Sequence, residues 1–86
     1  MSFRVPSRVL LDDAAVVLQQ GSVAIAAGER DVDLADVTMS DSSLVACLLA
    51  WRRAAQTSGA PLSVSNPSPR IRGLAALYGV EQIALG

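Results

Sequence analysis

Residues 32–51 of the chain read VDLADVTMSDSSLVACLLAW. The alternation of apolar and polar residues at 32–35 predicts a strand, and the polar residues that follow predict a short loop. Asp41 and two serines then precede eight apolar residues, 44–51, and this pattern predicts the start of a helix. Because a helix N-terminus presents unpaired N–H groups and the positive end of the helix dipole, this junction decides much of what the chain can do.

The rest of the chain predicts strands that alternate with helices. Strands are expected at 3–5, 8–11 and 62–65, in addition to 32–35. Helices are expected from Asp12 or Asp13 to about residue 26, from about 42 to 57, and from Asn66-Pro67 onward. The predicted helix stops are Gly28, Gly59 and Gly79. Residues 80–85 fit either a terminal strand or a tail.

Two of the predicted helices have an apolar face at helical spacing. On the first helix this face consists of Ala14, Val17, Leu18, Gly21 and Ile25. On the third it consists of Ile71, Leu74, Ala75 and Tyr78. The predicted fold class is therefore α/β: residues 1–86 form one domain, a small mixed sheet of about four strands with two to three helices packed on one face.

Composition excludes several functions. The chain has no histidine and its seven cations are all arginine, which removes histidine and lysine catalysis and the usual zinc sites. Its net charge of -1 does not predict a basic surface that would bind nucleic acid. No apolar run approaches the length of about 20 residues that a membrane span needs. We expect a soluble cytoplasmic protein that is not an enzyme, with no metal, no cofactor and no direct membrane insertion.

The motif Asp41-Ser42-Ser43 has two interpretations. One is capping, in which Ser40, Asp41 or Ser42 accepts a hydrogen bond from an N–H of the first helical turn. The other is a functional hydroxyl that contacts a partner or carries a phosphate, with Asp41 as a repulsive neighbour. Both interpretations can hold together, because a cap is exposed on one side.

The apolar run 44–51 also leaves two possibilities open. A helix on one sheet buries only a stripe of its surface, so either other helices cover its flanks or part of it is an exposed docking patch. If a patch exists, Leu44 and Trp51 share one side and are the candidate anchors. Cys47, the single cysteine, fits an inert buried thiol. Arg52 and Arg53 are expected to lie in solvent near the negative end of this helix.

The order of these elements, with Asp41-Ser42-Ser43 after a strand and Asn66-Pro67 after another, resembles the STAS domain family over nearly the whole chain. Residues 9–15 and 74–80, and the absence of an extra sensory domain, resemble the MlaB-type accessory subunit of the Mla phospholipid-transport ABC system. Leu44 stands where the anti-sigma-factor antagonists of the family commonly have glycine.

This resemblance implies two alternative functions. In the MlaB-type branch the chain would be a cytoplasmic, non-catalytic subunit, peripheral to the inner membrane, that binds the ATPase subunit of the transporter and supports outer-membrane lipid asymmetry. The partner-binding residues would be Asp41, Ser42, Ser43, Leu44 and Trp51. In the antagonist branch Ser42 would be phosphorylated by an anti-sigma factor kinase, although the bulk of Leu44 disfavours kinase recognition. A third possibility is a free-standing domain in which Asp41-Ser42-Ser43 is only a cap.

Overall fold

The strands form two ladders, and helices fill the space beside them. The computed structural model describes residues 2–86. Its elements, in chain order, are β1 (Phe3–Arg4), β2 (Arg8–Val9), α1 (Ala14–Ala26), β3 (Asp31–Asp33), β4 (Met39–Ser40), α2 (Ser42–Thr57), β5 (Ser63–Ser65), α3 (Pro69–Leu77) and α4 (Glu81–Leu85). One ladder has the order β1-β3-β5, and β2 pairs with β4 in the other. The pairings among these residues are parallel, and the small α/β fold is confirmed.

The larger ladder has one apolar and one polar face. Its apolar row consists of Phe3, Val32 and Val64, and the next row consists of Arg4, Asp33 and Ser65. Since successive side chains of a strand point to opposite faces, the first row packs on the helices and the second faces water. On the polar face Arg4 pairs with Asp36 at 2.8 Å, and Asp33 accepts a hydrogen bond from the side-chain amide of Asn66 at 3.0 Å.

The sequence predicts the first two helices well. In α1 the buried residues are Val17, Gly21 and Ile25, as the apolar spacing predicts. Asp13 stands at its N-cap position, but the carboxylate accepts from the N–H of Leu10 at 3.1 Å instead of capping the helix. The three predicted stop residues Gly28, Gly59 and Gly79 all have positive φ, the backbone conformation that ends a helix cheaply only at glycine.

The third helix begins later than the sequence predicts. Its N-cap is Ser68, whose hydroxyl accepts from the N–H of Ile71 at 3.2 Å, and Pro69 occupies the first helical turn. The predicted start at Asn66-Pro67 is wrong because Asn66 adopts a left-handed φ of 58° and holds Asp33. The helix does begin with a capping side chain followed by a proline, as predicted, but the pair is Ser68-Pro69, two residues after Asn66-Pro67.

Three further elements differ from the prediction. The strand predicted at 8–11 ends at Val9, because residues 10–13 form a turn closed by the Asp13 N–H and the Leu10 carbonyl at 2.9 Å. The segment predicted as a polar loop contains β4. This strand has only two residues, too few to show an alternation of apolar and polar side chains. The last segment forms α4, neither a strand nor an irregular tail.

Trp51 joins three elements in the core. Its side chain is fully buried, and its ring meets that of Phe3 edge to face with centroids 5.5 Å apart. Its indole N–H donates to the carbonyl of Leu18 in α1 at 3.1 Å. This approach requires Gly21, because a Cβ at that position would overlap the indole ring.

Replacing Gly21 tests this close packing. We expect Gly21→Ala to lower the free energy of unfolding by about 1–3 kcal/mol or more, because the added methyl forces α1 away from Trp51. Urea unfolding measures this loss. The matched control is Gly73→Ala in α3, where a Cβ meets nothing within 4 Å, and we expect it to stabilise the domain by about 0.5–1 kcal/mol. Equal effects of the two substitutions would contradict the packing argument.

Arg52 holds the C-terminal helix in place. Its guanidinium donates to the carbonyl oxygens of Leu62 at 2.9 Å, Ala84 at 2.8 Å and Gly86 at 2.8 Å. The expectation that this arginine lies in solvent is therefore wrong, since all three of its side-chain nitrogens are used inside the domain. Arg53, the next residue, is exposed as expected.

The two neighbouring arginines allow a direct comparison. Arg52→Met keeps the apolar stem but leaves three carbonyl oxygens without their donor. We expect it to lower the free energy of unfolding by about 1–3 kcal/mol in urea titrations. Arg53→Met should change it by less than about 0.5 kcal/mol. A loss of the same size for both variants would show that the charge, and not the three hydrogen bonds, matters.

Candidate functional site

The motif Asp41-Ser42-Ser43 forms the start of α2, directly after β4. Asp41 has extended backbone and is the N-cap residue of the helix. Its Oδ1 accepts from the N–H of Ser43 at 2.8 Å and also from the Ser43 hydroxyl. The capping interpretation is thus confirmed for Asp41. Ser43 belongs to the same cap, because its N–H and its hydroxyl both donate to Asp41.

The second oxygen of Asp41 reaches another part of the chain. Oδ2 accepts from the backbone N–H of Leu11, in the turn between β2 and α1, at 3.0 Å. The hydrogen bonds from Ser43, together with the Leu11 N–H and the nearby charge of Arg70, hold the pKa of the Asp41 carboxyl below its usual range. Asp41 is therefore an ionised bridge between two segments, with both oxygens in use.

Ser42 is arranged differently from its neighbours. Its side chain is exposed, and its hydroxyl makes no hydrogen bond to any of residues 2–86. One step along a helix turns the side chain by about 100°, so Ser42 faces outward when Ser43 faces the cap. Of the three motif residues, Ser42 is the one whose polar atoms are available to a partner.

Leu44 and Trp51 do not form the predicted docking patch. Both side chains are completely buried, because α1 covers one flank of α2 while α3 and α4 cover the other. The expectation that they act as apolar anchors is wrong for this conformation. Leu44 also points into the core, so its bulk does not obstruct the surface around Ser42, and that argument against kinase recognition loses its basis.

In the first half of α2, residues 42–49, the most accessible side chains form a narrow stripe between two grooves. The stripe consists of Ser42, Ala46 and, partly exposed, Leu49. The groove toward α1 is lined by Ser42 and Ala46 of the stripe and by Leu11, Ala14, Ala15, Leu18, Ser43 and Cys47. The groove on the other side is lined by Val45, Tyr78 and Val80 with the stripe. We call the combination of Leu11, Ser42, Ala46, Leu49 and Tyr78 the Ser42 surface.

Leu11 and Tyr78, which the sequence analysis did not assign to the site, form the two edges of the Ser42 surface. Their exposures of 77% and 56% are high for such large apolar side chains. Tyr78 was expected on the core face of the third helix, but it is the C-cap residue, beyond the part that packs. Two sequence features indicate that these side chains lie at the ends of elements. Gly79, the predicted helix stop, directly follows Tyr78, and the pair Asp12-Asp13 directly follows Leu11.

A family model described as "Mlab, STAS domain" matches residues 3–85. The chain belongs to the MlaB-type STAS domain family. Domains of this family are generally non-catalytic, small accessory or regulatory modules. A search of curated proteins gave no significant match. The family membership confirms the resemblance in the sequence and places Asp41-Ser42-Ser43 within a family domain that covers almost the whole chain.

The Ser42 surface is suited to apolar contact. The residues that line its two grooves carry no acidic or basic side chain. Burial raises the pKa of the Cys47 thiol, so this group stays neutral, as expected for an inert cysteine. An uncharged apolar surface with one free hydroxyl at its centre fits a protein partner that supplies apolar side chains and one polar group.

The aspartates on the sheet face are used internally. Asp31 accepts hydrogen bonds from Ser2, Ser63 and Ser65, which lower the pKa of its carboxyl. Within residues 2–86 no three metal-ligating side chains come together, and no helix there is long and apolar enough to cross a membrane.

Proposed function

We propose that the protein is a non-catalytic accessory subunit of an ABC-type phospholipid transporter that binds the transporter's ATPase subunit. The supporting observation is that a domain of the MlaB-type STAS family carries an uncharged apolar surface around a free serine at the start of α2. The proposal includes a cytoplasmic location at the inner membrane and a role in outer-membrane lipid asymmetry.

The geometry supports docking through the Ser42 surface. A contiguous exposed apolar patch on a small domain indicates an interaction site, and the two grooves join Leu11, Ala46, Leu49 and Tyr78 into such a patch. Leu11 and Tyr78 stand at opposite edges and can enter apolar pockets of the ATPase, while Ala46 between them lets the partner approach closely. Ser42 supplies the polar contact. Bound in this way, the domain favours whichever ATPase arrangement it binds more tightly.

A charge placed in the middle of the surface tests the proposal. We expect Ala46→Arg to weaken binding to the ATPase subunit at least about tenfold, because it puts an unpaired charge into an apolar contact. Ser42→Arg should act in the same direction. Co-purification, titration of binding and stimulation of ATP hydrolysis measure the loss.

The matched control for this test is Ala54→Arg. Ala54 is also exposed on α2, but it borders a different groove, near Arg30 and Ser58. The control variant should bind and stimulate like the unmodified protein. Unchanged binding by Ala46→Arg, or an equal loss for Ala54→Arg, would contradict docking through the Ser42 surface.

A second candidate function is a switch controlled by phosphorylation, as in anti-sigma-factor antagonists. The observation that favours it is the exposed hydroxyl of Ser42 at the first turn of a helix of 16 residues, where the dipole favours a phosphate. The inward direction of Leu44 leaves this hydroxyl open. Asp41 beside it opposes the added negative charge.

Phosphate mapping tests this candidate. If the switch operates, incubation with an anti-sigma factor kinase and ATP should add one phosphate at Ser42, detected by mass spectrometry, and the phosphorylated form should lose kinase binding. Ser43→Ala serves as the control, since its hydroxyl is bonded to Asp41 and the phosphate on Ser42 should persist in it. Absence of phosphate on Ser42 with the kinases of the same organism would rule this function out.

A further inference from the structure

The turn that carries Leu11 has few ties to the rest of the domain. Leu11 is 77% exposed, so burial of its side chain does not fix it. Its carbonyl accepts from the N–H of Ala14 at 3.4 Å, a long contact at the start of α1. The neighbouring Leu10 N–H is held by Asp13 within the same turn. Local contacts thus shape the turn, and the pairing of β2 with β4 just before it, extended by the Asp41 N–H that donates to the Val9 carbonyl at 3.3 Å, brings it close to α2.

Within residues 2–86, the hydrogen bond that ties Leu11 itself to the start of α2 goes to the carboxylate of Asp41. Its Oδ2 accepts the N–H of Leu11 at 3.0 Å, and its Oδ1 accepts the N–H of Ser43 at 2.8 Å. The β2–β4 pairing brings the two segments together, and the Asp41 side chain then fixes the backbone of Leu11 relative to the first turn of α2, where Ser42 stands. A carboxylate does this because it offers two acceptor oxygens with no donor.

We infer that Asp41 is a positioning residue for partner binding: it holds Leu11 in register with Ser42, and it does not itself contact the partner. This inference rests on the proposed function and changes the part assigned to Asp41 in it. A half-buried carboxylate with both oxygens in use has little left to offer a partner. What it controls is the edge of the groove between α1 and α2.

Two substitutions separate this bridge from the helix cap. In Asp41→Asn the remaining oxygen caps Ser43, since asparagine is as good an N-cap as aspartate. The NH₂ group of the asparagine then faces the Leu11 N–H, and because both groups are donors the hydrogen bond to Leu11 is lost. Asp41→Ser also caps α2, but its one hydroxyl oxygen does not serve both segments at once. Asp12→Asn is the matched control, because it removes an exposed carboxylate from the same turn without removing a bond to Leu11.

The first measurement uses the free protein. We expect the Leu11 amide to exchange its hydrogen at least about tenfold faster in Asp41→Asn and in Asp41→Ser than in the unmodified chain or in Asp12→Asn. Amides in the middle of α2 should be unchanged, which separates the bridge from general unfolding. Unchanged exchange at Leu11 in both Asp41 variants would overturn the inference, whatever the partner is.

The second measurement is a double-mutant cycle on binding to the ATPase subunit. Asp41→Asn should weaken binding about tenfold in the unmodified background, and should have almost no further effect in Leu11→Ala, because Asp41 acts through Leu11. An equally large loss in both backgrounds would show direct contact and overturn the positioning role. Failure of the unmodified protein to bind the ATPase would refute the proposed function instead, while the exchange measurement still decides the bridge.

Discussion

The contact between Gly21 and Trp51 is the constraint on which the arrangement of the helices depends. The indole of Trp51 lies against the backbone of α1, donates to the Leu18 carbonyl and meets Phe3 of β1. It therefore fixes the distance between α1, α2 and the sheet at one point. The groove lined by Leu11 and Ala46 runs between the same two helices toward their N-termini, so its width is set by this contact in the core.

The same helix serves the core and the surface, and its composition explains how. Leu44, Leu48 and Trp51 point inward, whereas Ser42 and Ala46 point outward. Ser42 and Ala46 are small, and Leu49, the large side chain of the stripe, is only partly exposed, so the stripe stays low. The large exposed side chains, Leu11 and Tyr78, come from outside the helix. The Ser42 surface therefore has a low ridge between two higher edges, a shape that would favour an interdigitating contact in the proposed complex.

How much of this was predictable depends on how local the determining interaction is. The bounds of α2 follow from Asp41 and Gly59, because caps and stops act within one turn. Which residues of 44–51 face outward does not follow, since a uniformly apolar run contains no periodic signal. The outward direction is decided by α1, α3 and α4, which pack against α2 and leave one stripe of the run 44–51 accessible. The start of α3 was misplaced for a related reason: the competing use of Asn66 is a contact with Asp33, distant in the sequence.

The order of residues in Asp41-Ser42-Ser43 has a geometric meaning that its composition alone does not carry. The capping carboxylate of Asp41 accepts a hydrogen bond from the hydroxyl of Ser43, so this hydroxyl is already used within the cap. The helical step then turns the intervening residue away from the cap and into the groove region, so Ser42 is left free. In the order Ser-Asp-Ser a serine would still cap the helix, but a carboxylate would stand between Leu11 and Tyr78. Capping by Asp41 and the exposure of the Ser42 hydroxyl are therefore successive consequences of one local geometry, and the proposed partner contact depends on the second.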